Sequence, residues 1–266
     1  MSNRNPLVSV IVPAYNAAIT IESVLNGLLA QTYSNIEIIV VNDGSSDDTA
    51  VIIEAVAKQD KRVKLVNQSN AGPGAARNAG LQRAQGQFVM FFDADDDFSE
   101  EIVEKLVAQQ LQTRADFVFC GMVTNGSTVI PRSVSSSTNY QTRYLTLKSL
   151  LKNNLLYGPC CKLFKKSLIQ QYKISFATGL KYGEDTIFVL QYLGVATNIS
   201  TVTEALYYYH YTADGIAFKN RTSSQARYLR SQALDSFCDQ GGLQLRLLAG
   251  LIKCRWQLSL IKSKVS

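Results

Sequence analysis

Four short apolar runs, each closed by a polar turn and followed by a segment of helical period, constrain the first 112 residues of this chain. The runs are residues 7–12, 36–41, 63–66 and 87–92, and the first is rich in β-branched residues. Continuous apolar runs of this length are the pattern of strands covered on both faces, as in parallel sheets. After the first run, Ile21, Val24, Leu25, Leu28 and Leu29 recur with the 3.6-residue period of an amphipathic helix. Asp47 and Asp48 can cap a helix over residues 49–59, and Ala71-Gly72-Pro73-Gly74 opens another to about residue 84. A helix is expected over residues 99–112, acidic in its first turn where the helix dipole favours negative charge. The alternation predicts an α/β fold, a doubly wound, mostly parallel, Rossmann-like sheet with right-handed crossovers. Ligands of such sheets bind beyond the carboxyl ends of the strands.

From residue 116 the alternation weakens. Strands are expected at 117–123, 199–203 and 205–211, and helices at 145–156, 166–172 and 184–193. Residues 124–142 read as a loop or edge hairpin. A basic helix over 223–237 and a helical tail over 243–264 follow the last strand. In 266 residues, 46% hydrophobic composition supplies a real core. No apolar run reaches the roughly 18–20 residues of a membrane span, and residues 1–6 lack the features of a signal peptide. Five cysteines without C-x-x-C spacing indicate reduced, buried thiols in a cytosolic protein.

All four strand ends carry polar chemistry: Pro13-Ala14-Tyr15-Asn16, Asn42-Asp43-Gly44-Ser45, Asn70-Ala71-Gly72-Pro73-Gly74 and Asp93-Ala94-Asp95-Asp96. The fourth belongs to a cluster of six acidic residues, Asp93, Asp95, Asp96, Asp97, Glu100 and Glu101. Carboxylates this close repel one another, so a cation is the natural compensation. Oxygen ligands select a hard ion, Mg²⁺ or Mn²⁺. The D-x-D-x-D-G pattern of an EF-hand is absent. Glu100 and Glu101 are assigned to a helix start.

These motifs, in order and at this spacing, resemble those of the family 2 glycosyltransferases of bacterial surface-polysaccharide assembly, which have the GT-A fold. The likeness is close over residues 7–110 and weaker to about 216. It implies an inverting, metal-dependent hexosyl- or N-acetylhexosaminyl-transferase that uses a nucleotide-sugar donor, usually UDP-linked. Pro13, Tyr15, Asn16, Asp43, Gly72, Arg77, Asp93 and Ala94 would bind the nucleotide. Tyr15 would stack on uracil, Asp43 would accept the base imide hydrogen, Arg77 would contact phosphate or base edge, and Asp93 would hold the ribose. Asp95, in the family's D-x-D position, would ligate Mn²⁺ or Mg²⁺ at the diphosphate.

In the second half, Gly183-Glu184-Asp185-Thr186 matches the family's Glu-Asp motif. The match implies Asp185 as catalytic base. Asp96, Lys162 and Glu184 would lie near the donor or acceptor sugar, and Glu184 could instead hold a neighbouring loop. One departure follows the last strand, where the family often has Tyr-Arg-x-His. Here His210 stands at the Arg position and Thr212 at the His position. His210 would join the metal site, or pack among the adjacent tyrosines.

The resemblance divides the chain into a GT-A domain, residues 1–218, and a basic helical extension, residues 219–266. Within the domain, residues 1–112 form the nucleotide-binding half and 113–218 the acceptor-binding half. The formal charge is +6, and the last 48 residues hold nine basic residues against Asp235 and Asp239 while the rest is near neutral. That tail fits a membrane surface or a phosphorylated, lipid-linked saccharide acceptor rather than nucleic acid, or a helix packed on the body. The expected location is cytoplasmic, at the inner face of the membrane. A sugar-nucleotide pyrophosphorylase would need a Gly-rich, Arg-containing loop after the first strand, and a dinucleotide dehydrogenase would need G-x-G-x-x-G. Neither is present. A non-catalytic family member that binds sugar nucleotide as a partner in a glycan-assembly complex is the remaining alternative.

Overall fold

The computed structural model describes residues 5–124, 127–130, 158–180 and 183–210. The expected helices at 145–156, 223–237 and 243–264, and the segment after His210, lie outside the described residues. Among the described residues, no helix is long and apolar enough to cross a membrane.

The first half follows the sequence pattern closely. Strand β1 (Val8–Ala14), helix α1 (Ile21–Leu29), strand β2 (Ile36–Asp43), helix α2 (Thr49–Gln59), strand β3 (Val63–Gln68), helix α3 (Pro73–Arg83) and strand β4 (Phe88–Phe91) alternate along the chain. Strands β3, β2, β1 and β4 lie side by side, all parallel. Every residue of β2 is buried, as a strand covered on both faces requires. Helix α1 buries Ile21, Val24, Leu25 and Leu28. Helix α3 lies so close to β1 that a Cβ on Gly80 would fall 2.4 Å from the Ile11 side chain.

The second half is mixed rather than parallel. It comprises β5 (Asp97–Phe98), helix α4 (Ile102–Thr113), β6 (Phe117–Thr124), β7 (Ser127–Val129), β8 (Lys162–Lys165), helix α5 (Lys166–Gln171), helix α6 (Glu184–Val195) and β9 (Ile199–Tyr209). The sheet continues from β4 through β8, β6 and β9 to β5, with β7 on β6. Strand β8 runs antiparallel to β4 and β6, whereas β9 runs parallel to β6. Residues 97–98 form β5 by pairing with Tyr207 and Tyr208, so α4 begins later than the sequence suggests. The two strands expected at 199–203 and 205–211 are one strand. It bulges between Thr201 and Ala205, opposite Phe119 to Gly121, where its polar residues interrupt the apolar pattern. An aromatic cluster joins the halves: Phe91 meets Phe164, Phe176 and Phe188 edge-on, and Phe176 stacks on Phe188 at 4.0 Å.

At the amino ends of the strands, buried Glu37 fixes the sheet. Its carboxylate accepts from Ser9 Oγ at 2.6 Å, the Gln85 and Gly86 N–H groups at 2.6 and 3.1 Å, and Lys64 Nζ at 2.7 Å. Burial works to raise its pKa, but the bonds from Lys64, Ser9 and Gln85 outweigh it and hold the carboxyl below the usual value. Glu37→Ala leaves these donors without their acceptor and is expected to cost about 3 kcal/mol. Because the folded pKa is depressed, the wild-type advantage is complete above the unfolded value and disappears as pH falls through the folded one. Urea melts at pH 7 and pH 3 measure both.

Candidate active site

The carboxyl ends of β1, β2, β3 and β4 bring their loops to one edge. Tyr15, just past β1, is 51% exposed, an uncovered aromatic at the position expected to stack on a base. Pro13 lies half-buried within β1, beside Val41. Asn16 adopts φ 49° and ties two loops together. Its N–H donates to Ser45 Oγ, and its Oδ1 accepts from Ser46 N–H at 2.8 Å. Asn16 is therefore part of the loop framework.

Strand β2 extends through Asn42 and Asp43, which the sequence suggested as a turn. Asp43 is buried, and its Oδ1 accepts from Gln68 Nε2 at 2.6 Å and Ala71 N–H at 2.9 Å. Its Oδ2 accepts from Gly72 N–H at 2.8 Å. A carboxylate has about four acceptor sites, so one remains on Oδ2. These bonds draw the loop before α3 toward β2. Gly72 has φ +88°, and a Cβ there would meet nothing within 4 Å, which leaves the backbone open to a ligand.

Arg77 is placed differently from the sequence expectation. It is buried, with its Nη2 donating to Asp93 Oδ1 at 2.8 Å and its Nη1 to Glu184 Oε1 at 3.2 Å. Its guanidinium lies 5.5 Å from the Phe176 ring centre. Burial opposes its charge, but Asp93 and Glu184 outweigh that effect and keep it ionised. Among the described residues, its Nε is a buried side-chain nitrogen without a hydrogen-bond partner. Arg77 thus clamps the turn after β4 to the start of α6 from inside rather than presenting a free charge.

Glu184, expected near a sugar, is the buried partner in that clamp. Burial and the Asp185 charge raise its pKa, and Arg77 opposes them. Gly183, at φ +83°, precedes α6 and leads the chain into its first turn. Asp185 follows Glu184 there, with Oδ1 accepting from Thr186 N–H at 2.5 Å and Thr186 Oγ1 at 3.2 Å. Asn78, a residue the sequence reading passed over, fastens the segment before α6. Its side chain exchanges two 2.8 Å bonds with the Phe176 backbone.

The acidic turn after β4 is heavily braced. Asp93 Oδ2 accepts from Cys160 Sγ at 3.5 Å, and burial, Asp93 and Asp96 hold that thiol well above its usual pKa. Ala94 is buried. Asp96, expected to face a sugar, is also buried. Its Oδ2 accepts from Tyr207 OH at 2.8 Å and its Oδ1 from His210 N–H at 3.0 Å. Burial and the Asp93 charge push its carboxyl up to about 8. Lys162 is another correction: it is buried, and its ammonium donates to the carbonyls of Gly158 and Cys160 at 2.7 and 3.1 Å. It ties down the Cys160 loop. Tyr207 and Cys160 carried no motif signal, since one lies in a tyrosine run and the other in a cysteine pair.

Asp93, Asp96 and Cys160 each bring a possible ligand atom within 4.8 Å of the others. Those atoms already bond to Arg77, Tyr207, His210 or one another, and a protonated thiol is a poor ligand for a hard ion. Asp95 differs. It is exposed, and the surrounding protein together with the Asp93 charge raises its pKa. The Asp93 charge beside it disfavours a second carboxylate, which a cation would relieve, and Asp95 offers it oxygen. The residues present fit Mg²⁺ or Mn²⁺. His210 is exposed, not packed among the tyrosines, and its Nε2 lies 2.7 Å from Asp97 Oδ2.

Comparisons with known proteins bear on the family and the fold. The profile of Glycosyl transferase family 2 matches residues 9–173. Over 209 residues the chain is 33% identical to the uncharacterized glycosyltransferase EpsJ of Bacillus subtilis, covering 77% of this chain and 61% of EpsJ. It thus spans about three fifths of that relative's length. It is 30% identical over 212 residues to the poly(ribitol-phosphate) beta-N-acetylglucosaminyltransferase TarS of Staphylococcus aureus, covering 78% of this chain and 36% of TarS. The crystal structure of TarS 1–349 in complex with UDP-GlcNAc superposes with a TM-score of 0.73 and 26% identity, over 86% of this chain and 66% of that one. The mannosyltransferase PcManGT of Pyrobaculum calidifontis, solved with GDP-Man and Mn²⁺, shares the fold at a TM-score of 0.60 and 18% identity, over 98% of this chain and 76% of that one. With the GT-A arrangement of its sheet and the family profile over more than half its length, the chain belongs to the family 2 glycosyltransferases.

Proposed function

We propose that this protein transfers a sugar, with inversion, from a UDP-linked donor to a hydroxyl of a saccharide or lipid-linked acceptor in surface-glycan synthesis. One observation carries the reading. An exposed Asp95 stands between two braced aspartates at the nucleotide edge, and Arg77 ties the same turn to the helix start that bears Asp185. The UDP-GlcNAc held by TarS supports a uridine donor. Tyr15 stacks on the base, the remaining acceptor site of Asp43 takes the imide hydrogen, and the open backbone at Gly72 admits the nucleotide. Asp95 would hold Mn²⁺ or Mg²⁺, and such an ion would supply positive charge to offset the negative charge developing on the leaving diphosphate. Asp185 removes the proton of the acceptor hydroxyl as that oxygen attacks the anomeric carbon. Residues 1–218 form the catalytic domain, and the basic tail meets the membrane or the acceptor's phosphates.

A coupled assay for UDP release, run over a panel of UDP-sugars with a membrane-lipid extract as acceptor, tests this. Release that needs Mn²⁺ or Mg²⁺ and disappears in Asp95→Ala is the expected result. Metal-independent release, or none with any donor, contradicts it.

A further inference from the structure

The turn from Asp93 to Asp96 holds three carboxylates in four residues, which repel one another and would open an unbraced turn. Besides Arg77, Cys160 and the His210 N–H, one hydroxyl braces it at both ends. Tyr207, on β9, is fully buried, and its OH accepts from Asp93 N–H at 3.2 Å while donating to Asp96 Oδ2 at 2.8 Å. A single oxygen thus joins the backbone at the start of the turn to the side chain at its end. The ring is itself fixed, with Phe92 at 5.7 Å and Phe98 at 6.4 Å between centroids. The pairing of β5 with Tyr207 and Tyr208 anchors the chain just beyond. The hydroxyl belongs to a fully buried residue, whereas Asp95, within the turn it spans, is exposed.

We propose that Tyr207 is a positioning residue for the divalent cation: its hydroxyl fixes the curvature of the 93–96 turn and so presents the Asp95 carboxylate. The inference rests on the reading of Asp95 as metal ligand given above. Without the hydroxyl, the Asp93 N–H and the Asp96 carboxylate lose their shared partner in a buried place. The turn must then rearrange or leave them unpaired. Groups that orient a ligand without touching the metal are commonly worth about 10–100-fold in metal affinity.

The test is Mn²⁺ binding in the presence of UDP, read from the electron paramagnetic resonance signal of free Mn²⁺ and requiring no turnover. Tyr207→Phe is expected to weaken Mn²⁺ by roughly 10–100-fold. In the transfer assay, its kcat should return toward the wild-type value at saturating Mn²⁺. The thermal midpoint without metal reports any purely structural role. Mn²⁺ affinity within twofold of wild type overturns the proposal, whether or not the midpoint falls. The double variant Tyr207→Phe/Asp96→Ala should bind Mn²⁺ no more weakly than Asp96→Ala alone, and additive losses would refute the route through Asp96. If Tyr207→Phe does not fold, Asp96→Ala carries the test from the other side of the bond. The same weakening is expected there, and unchanged affinity overturns the proposal. Asp95→Ala separates the two readings. Wild-type Mn²⁺ binding in that variant removes the metal assignment itself, whereas loss there with none in Tyr207→Phe removes only the positioning role.

Discussion

Asp185→Asn is expected to lower kcat by about 10²–10⁴-fold, the usual worth of a positioned general base, while UDP binding stays near wild type. The change is nearly isosteric and preserves an oxygen to accept from Thr186, so the start of α6 should keep its shape. Thr186 occupies Oδ1, which leaves the second oxygen for an acceptor hydroxyl. Glu184, its neighbour, cannot take over: it is buried and bonded to Arg77. Steady-state kinetics with UDP titrations on both proteins measure the effect. An unchanged kcat would mean that the proton leaves by another route. Loss of UDP binding together with kcat would mean that Asp185 serves the donor site.

Arg77→Leu is expected to be the most damaging single change to stability. The guanidinium is buried between Asp93 and Glu184, and its removal strands two carboxylates of like charge. Breaking a buried pair in this way costs on the order of 3–5 kcal/mol, or roughly 10 °C in Tm for a domain of this size. Replacing Glu184 as well should recover part of the loss, because one buried charge then disappears with its partner. Activity should not recover, since α6 is no longer tied to the acidic turn. Thermal melts and transfer assays on Arg77→Leu, Glu184→Leu and the double variant separate the two effects. A single variant as stable as wild type would show that the clamp contributes little.

The parallel half of the fold was legible because β1, β2 and β4 are covered on both faces and write that burial directly into runs such as Ile36–Asp43. Strands β5 and β8 escaped notice for opposite reasons. Strand β5 is two residues long and exists only because β9 lies beside it. Strand β8 owes its character to pairing on both sides, with β4 and β6, and its first residue, Lys162, resembles a surface charge until the carbonyls around it are seen. The site divides in the same way. The motifs locate the loops at the correct edge, but they do not say which polar atoms turn inward. Arg77, Asp96, Lys162 and Glu184 all carry charge suited to a ligand, and all are buried and bonded within the protein. Tyr15 and Asp95 are exposed. For Arg77, Glu184 and Asp96 that distinction depends on contacts between residues more than 100 positions apart, Arg77 with Glu184 and Tyr207 with Asp96, which no local pattern encodes.

The central claim is that Asp95 binds a divalent cation together with the donor's diphosphate. Calorimetric titration of UDP with and without Mn²⁺, on the wild type and Asp95→Ala, tests it most directly. Linked binding predicts that Mn²⁺ tightens UDP by roughly tenfold or more in the wild type and leaves Asp95→Ala unaffected. Equal UDP affinity with and without Mn²⁺ in the wild type, or a full Mn²⁺ effect in Asp95→Ala, would contradict it.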